Sequence, residues 1–367
     1  MQQPTDRAPW RLGYRPALDG LRGIAVLLVM ASHAELPGFR LGGGTGVTMF
    51  FVLSGFLITA LLVEEQRDTG GVNLRAFYRR RLFRLLPALV VFLAGALALG
   101  WGTGDHAAAA LLYVANWVRA SGGNLGDLGH TWSLAIEEQF YVVWPLLFVV
   151  LARRPAWLLR LAVGGAVLSA VIRTMIVIGG DQAAMDRVYF GSDTRADAIL
   201  AGCILGLVIA GGRRLSVPRW MAAAAGLALV VVTGIAAGES SFYRWGLTLA
   251  AVASTIIVAR VAVRPAGSSR VLEWSGLVRT GRLSYGLYLW HWPIMLVASR
   301  TMAAGPGRVV VTFALSFLMA VASSRLVEEP MRRFGRHKGR TAVVLERQPV
   351  DCLAAAGRGG ARPVCPE

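Results

Sequence analysis

The sequence predicts an all-α protein, a polytopic membrane bundle of about ten transmembrane helices with both termini in the cytosol. Three observations carry this. The 367 residues are 55% hydrophobic and only 16% charged, against about 25% charged in an ordinary soluble domain. Long uncharged runs recur: Leu41 to Val63 holds 23 residues, Leu85 to Gly104 holds 20 and Trp220 to Gly238 holds 19. Runs of that length read as membrane-spanning helices. The basic residues fall between the runs, as orientation by positive charge requires. A soluble globule, a fibrous chain and a disordered chain are excluded. An outer-membrane barrel is disfavoured because the runs do not alternate polar and apolar positions.

The expected spans are 18–35, 43–63, 85–102, 131–151, 158–178, 194–211, 219–237, 244–262, 284–300 and 306–327. With a cytosolic N-terminus, the cytosolic segments hold 28 of the 38 basic side chains and the outer loops hold 6. This asymmetry explains the net charge of +17 without a nucleic-acid partner. Residues 1–17 form a cytosolic arm, 18–334 the membrane domain and 335–367 a basic tail expected to be disordered. The outer segment 103–130 contains an apolar stretch, Ala107 to Val118, too short to cross and expected to lie on or dip into the outer face. No cleavable signal peptide and no internal repeat are evident. Cys203 reads as a packing residue, and no disulfide is expected of Cys352 and Cys365 in a cytosolic tail.

Ionisable groups inside spans are functional candidates. In the first span, Arg22 and His33 are eleven residues apart. Eleven steps of 100° end 20° past three full turns, so both point the same way about 16 Å apart along the axis. Asp19, one turn before Arg22, is placed to pair with it. A histidine there is suited to accept and return a proton. The alternative is an arginine snorkelling to phosphates and a histidine capping a helix. In the second span, Phe50-Phe-Val-Leu-Ser54-Gly55 follows Gly42, Gly43, Gly44 and Gly46. These small residues suit close helix packing or a substrate path.

The basic run Arg75 to Pro87 contains Arg79, Arg80, Arg81 and Arg84, with Arg81 and Arg84 on one face. Such guanidiniums grip a polyphosphate or anchor on anionic lipid. The fourth span opens with His130-Thr-Trp-Ser133-Leu-Ala-Ile-Glu137-Glu138-Gln-Phe-Tyr141, expected level with His33. Ser133, Glu137 and Tyr141 share a helix face. The carboxylates either orient a histidine or bind hydroxyls, or they cap the helix beside belt aromatics. Arg195 and Asp197 open the sixth span. Two apart, they do not face each other, so each needs a partner from another helix. In the ninth span His291 lies beside Pro293, which frees a backbone carbonyl; a packed, hydrogen-bonded histidine is the reading. Glu328-Glu329-Pro330 closes the tenth span as a pairing site for arginines.

Together these segments resemble the acyltransferase-3 family of integral membrane O-acyltransferases. The matching pieces are Leu18-Asp-Gly-Leu-Arg22-Gly with His33, Phe50 to Gly55, Arg79 to Pro87, Trp132 to Tyr141, Arg195-Ala-Asp197, Tyr285-Gly-Leu-Tyr-Leu-Trp-His291-Trp-Pro293 and Glu328-Glu329-Pro330. The resemblance implies transfer of an acyl group, often acetyl, from cytosolic acyl-CoA to a hydroxyl of a glycan, lipid or macrolide. No metal or permanently bound cofactor is implied; acyl-CoA is a co-substrate. His33 becomes the general base, with Arg22 at the cytosolic mouth and Glu137 or Glu138 assisting. Arg79, Arg80, Arg81 and Arg84 become the CoA-phosphate site. Asp19, Ser54, Ser133, Tyr141, Arg195, Asp197, Tyr285 and His291 become substrate or network residues. Many members add an extracytoplasmic SGNH-type esterase domain, so a separate partner of that type is one expectation and direct transfer the other. The expected location is the cytoplasmic membrane. The rival class is a transporter or flippase of a polar lipid or metabolite, which buried charges and ten spans fit equally; a receptor ranks last because the loops are small.

Overall fold

A computed structural model describes residues 10–180, 182–234 and 241–335. Within them every regular element is helical. The N-terminal nine residues, the tail beyond Gly335, and with it Cys352 and Cys365, lie outside the described residues.

Ten helices occupy the ten expected segments. They are α1 (Pro16–His33), α2 (Gly42–Thr69), α3 (Leu74–Ala98), α6 (Trp132–Leu151), α7 (Pro155–Gly179), α9 (Ser192–Ala210), α10 (Arg219–Gly234), α11 (Phe242–Ala262), α13 (Ser284–Thr301) and α14 (Pro306–Gly335). Between them lie α4 (Gly104–Leu111), α5 (Ala115–Ala120), α8 (Gln182–Phe190) and α12 (Ser275–Arg282). By length and composition six segments suffice to cross a membrane: α2, α3, the run Gly126–Leu151, α7, α11 and α14. The others include α1, α9 and α13, which carry charged or polar groups such as Arg22, Arg195 and His291.

Local chemistry sets the helix ends. Pro16 stands at the first turn of α1, where a missing N–H costs nothing. Gly70 ends α2 in the left-handed region at φ 75°, which a glycine adopts without a Cβ clash. The Asn73 side chain caps α3 by accepting from the Ala76 N–H at 2.8 Å.

The centre of the bundle is α2 packed on α9 and α1. Glycines allow that contact: a Cβ on Gly55 would lie 2.0 Å from the Ile199 carbonyl oxygen, and one on Gly202 2.1 Å from that of Val52. The second-span glycines therefore serve packing. The most apolar 18-residue windows of α7 and α14 are only 22% and 17% buried. Their outward faces carry Val167, Leu168 and Val171 on α7 and Val310 and Leu318 on α14, exposed apolar side chains of the kind that lipid covers.

Segment 103–130, expected at the outer face, forms α4 and α5 and a 3-10 turn, Gly126–Thr131. It dips inward far enough to bury Asn116 completely. That amide donates to Phe190 O and Ser192 Oγ, and its oxygen accepts from Gln139.

Candidate active site

The geometry centres on three histidines from three elements. His33 ends α1, His291 lies midway along α13, and His130 stands just before α6. His33 Nδ1 is 3.0 Å from His291 Nε2, and the two rings are parallel within 5°. The His130 ring lies edge-on to His291, with centroids 5.8 Å apart. His130 and His291 are buried, whereas His33 is half-buried. Trp292 packs its ring against His33, at 4.4 Å between centroids. Gly43 of α2 faces the other nitrogen: a Cβ there would sit 3.7 Å from His33 Nε2.

Pro293 does free a carbonyl, but a different histidine takes it. A proline has no N–H to bond the carbonyl four residues back, which here is Leu289 O. His130 Nε2 reaches that oxygen at 3.1 Å. His291 instead directs Nδ1 at Leu287 O and Tyr288 O, at 3.0 and 2.8 Å. The Tyr288 hydroxyl donates to His130 O at 2.9 Å and lies 2.5 Å from Ser133 Oγ, which leaves the Ser133 hydroxyl as donor to Tyr288. The sequence signal for His130 was present in that motif, but nothing in it shows which carbonyl the ring meets.

Below the histidines lies a cavity of ≈ 270 Å³. Arg22, Arg81 and Arg84 line it together with Glu137, Glu138, Ser54 and Tyr141. It continues into a neck of ≈ 40 Å³. The two share Arg22, Phe50, Leu134, Glu137 and Tyr285. The neck ends at Ser133 and Tyr288, and Tyr288 packs on His291 with centroids 5.5 Å apart. The lining thus runs from the arginines as far as Ser133 and Tyr288, and the Tyr288 ring separates its end from the histidine cluster.

Within this lining, Ser133, Glu137 and Tyr141 do lie along one face of α6. Ser54 Oγ donates to Glu137 Oε1 at 2.7 Å and accepts from the Tyr141 hydroxyl at 2.8 Å. The Arg81 guanidinium sits 3.2 Å over the Tyr141 ring. Arg22 donates to Ser284 Oγ at 3.0 Å. The Tyr285 hydroxyl donates to Leu85 O at 2.9 Å.

Three expectations need correction. Asp19 pairs with Arg282 of α12 at 3.6 Å, not with Arg22; the close approach of α12 supplies a nearer partner. Glu137 and Glu138 line the arginine cavity with Arg22, not the space beside His33. Seven residues of helix separate His130 from Glu137, about 10 Å of rise, and it is His130 that reaches the level of His33. Arg79 lines neither the cavity nor the adjoining ≈ 460 Å³ groove, which takes Arg80, Arg81, Arg84 and Arg332. Arg80 also pairs with Glu65 at 3.7 Å. Helical spacing turns Arg79 away from the face that holds Arg81 and Arg84.

Arg195 and Asp197 each find partners on other helices. Asp197 accepts two hydrogen bonds from Arg173 of α7, at 2.9 and 2.8 Å. Arg195 donates to Thr48 at 3.0 Å and lies between the Phe51 and Tyr189 rings. Neither lines the cavity, so both read as fold-holding groups. Glu329 pairs with Arg333 at 3.7 Å, and Glu328 accepts from Ser323 at 3.2 Å. Cys203 is fully buried and free.

A family model described as an acyltransferase domain matches residues 15–326. The chain belongs to the acyltransferase-3 family. It is 35% identical over 355 residues to peptidoglycan O-acetyltransferase OatA of Listeria monocytogenes, covering 88% of this chain and 56% of the relative. It is 33% identical to O-acetyltransferase OatA of Staphylococcus aureus (88% and 58% covered) and to the putative peptidoglycan O-acetyltransferase YrhL of Bacillus subtilis (88% and 55%). The chain therefore spans a little over half the length of these curated relatives. No solved structure matches it. With its apolar helices, the match identifies a multi-pass membrane protein carrying an acyltransferase domain.

Proposed function

We propose that this protein is an O-acyltransferase that moves acetyl or another short acyl group from cytosolic acyl-CoA to a hydroxyl of a cell-envelope glycan. The relatives named for peptidoglycan O-acetylation favour that glycan as acceptor. The ten helices cross the cytoplasmic membrane, with the arginine-lined cavity toward the cytosol.

The observation that carries the reading is the single face of α1 that joins an arginine cavity to a histidine cluster. Arg22 lines the cavity, and His33 stands eleven residues on, about 16 Å away. Arg81 and Arg84, with Arg80 in the adjoining groove, bind the CoA phosphates. The wide cavity narrows to a neck, a shape that suits an unbranched arm behind a bulky charged head. At the far end His33 Nε2 takes the proton of the acceptor hydroxyl. The hydroxyl oxygen attacks the thioester carbon, the carbon–sulfur bond breaks, and His33 returns the proton to the departing thiolate. General-base help of this kind contributes about 10²–10⁴-fold. Glu137, bound by Ser54 and facing Arg22, holds the cavity wall; it lies too deep to orient His33.

The test is thiol release by the full chain in nanodiscs supplied with acetyl-, propionyl- or isovaleryl-CoA and a panel of glycan, lipid and macrolide hydroxyls. Acceptor-dependent release supports the reading and names the donor. Failure to bind any acyl-CoA would move a transport role to the front.

A further inference from the structure

Both carbonyl oxygens near His291 can only accept a hydrogen bond. Leu287 O and Tyr288 O lie 3.0 and 2.8 Å from His291 Nδ1, so in the neutral ring that nitrogen carries the proton. Nε2 of the same ring then holds a lone pair and can only accept. Its partner at 3.0 Å is His33 Nδ1, which must therefore be the donor. A neutral imidazole has one N–H, so His33 Nε2 is left with its lone pair. That nitrogen faces Gly43, where a Cβ would stand 3.7 Å away.

From this we infer that His291 is a positioning residue that fixes His33 in the Nδ1–H tautomer, aiming a bare Nε2 lone pair at the acceptor hydroxyl. The inference rests on the proposed role of His33 as general base. Its logic is that of a catalytic base held by an acceptor behind it, where the wrong tautomer costs orders of magnitude. A histidine takes the place of the usual carboxylate. It is neutral, so it orients the ring without adding a charge to a fully buried position.

The geometry also explains why the orienting group sits in the middle of a helix. Leu287 and Tyr288 lie four and three residues before His291, and their carbonyls are bonded within the helix by the N–H groups of His291 and Trp292 in the ordinary pattern. Each retains a second lone pair for the ring. The imidazole is thereby pinned by its own backbone, and packing against Tyr288 and His130 fixes its plane.

Two readouts test this, one of them independent of activity. The full chain carrying ¹⁵N-histidine is studied in lipid by solid-state NMR, with the His33 signals assigned by their loss in His33→Asn. The expected spectrum shows a protonated Nδ1 and an unprotonated Nε2 on His33. In His291→Phe, which removes the acceptor, the two tautomers should mix. A wild-type His33 protonated on Nε2 would overturn the inference, even if acyl transfer itself proves real. In acyl-transfer assays with acetyl-CoA, His291→Phe should lower kcat by about 10²-fold or more with KM for acetyl-CoA within about two-fold. His291→Gln, whose amide oxygen offers an acceptor, should recover to within about ten-fold of wild type. Equal kcat in wild type and a folded His291→Phe would contradict it. If wild type transfers nothing while the NMR shows the expected tautomer, the tautomer assignment stands and the acyl-transfer reading fails.

Discussion

His33 on α1 and His291 on α13 meet nitrogen to nitrogen at 3.0 Å, across 258 residues of sequence. Behind them, His130 fills the hydrogen-bond position on Leu289 O that Pro293 leaves open. The end of α1, the start of α6 and the middle of α13 are thus tied at the level where the α1 face terminates.

That tie has a stability consequence. His130→Ala removes a buried ring and leaves the Leu289 carbonyl without its partner. An unsatisfied buried acceptor costs about 1–3 kcal/mol. The variant should unfold at a clearly lower temperature in detergent, monitored by circular dichroism.

The Arg173–Asp197 pair makes a sharper contrast. Both side chains are almost fully buried, and the pairing is two-pronged. Arg173→Ala leaves Asp197 buried and uncompensated, at a cost of about 3–5 kcal/mol. The double change Arg173→Met with Asp197→Leu should recover most of the loss. Thermal melts of the three proteins in one detergent check this.

The arginine cavity makes a binding prediction. Arg81→Ala and Arg84→Ala should each raise KM for acyl-CoA about ten-fold while leaving kcat close to wild type, because the proposed phosphate site is separate from the proposed base His33. The weakening should shrink as salt rises, since salt screens the wild-type attraction. Arg79→Ala, whose side chain lines neither cavity nor groove, should leave KM unchanged. Steady-state kinetics across a salt series decides it.

The contact between α2 and α9 is the most constrained in the bundle. Gly55→Val sets a branched side chain where even a Cβ would lie 2.0 Å from the Ile199 carbonyl oxygen. The helices must separate, at a cost of about 1–3 kcal/mol or more. Folded yield after purification should fall steeply, whereas Gly43→Ala, with its nearest neighbour at 3.3 Å, should fold.

The sequence made the helices legible because hydrophobic run length and intrahelical spacing are local quantities. The shared face of Arg22 and His33, the common face of Ser133, Glu137 and Tyr141, and the need of Arg195 and Asp197 for outside partners all follow from one helix at a time. Depth across helices does not. The motif alone sets Glu137 beside His33, yet α6 enters with His130 at that level and carries Glu137 about 10 Å further toward the arginines. Asp19 met Arg282 rather than Arg22 for a similar reason: α12 crosses α1 within backbone contact, and no local pattern announces that crossing. Pro293 signalled a free carbonyl, but only the three-dimensional arrangement shows that His130, not His291, satisfies it.

The most direct test of the account is acyl-CoA turnover by His33→Ala beside wild type, with acyl-CoA binding measured on the same nanodisc samples. The account predicts that the variant folds and binds acetyl-CoA as wild type does, and that kcat falls by about 10²-fold or more. A folded variant that transfers acyl groups at the wild-type rate would contradict it and return His33 to a structural role.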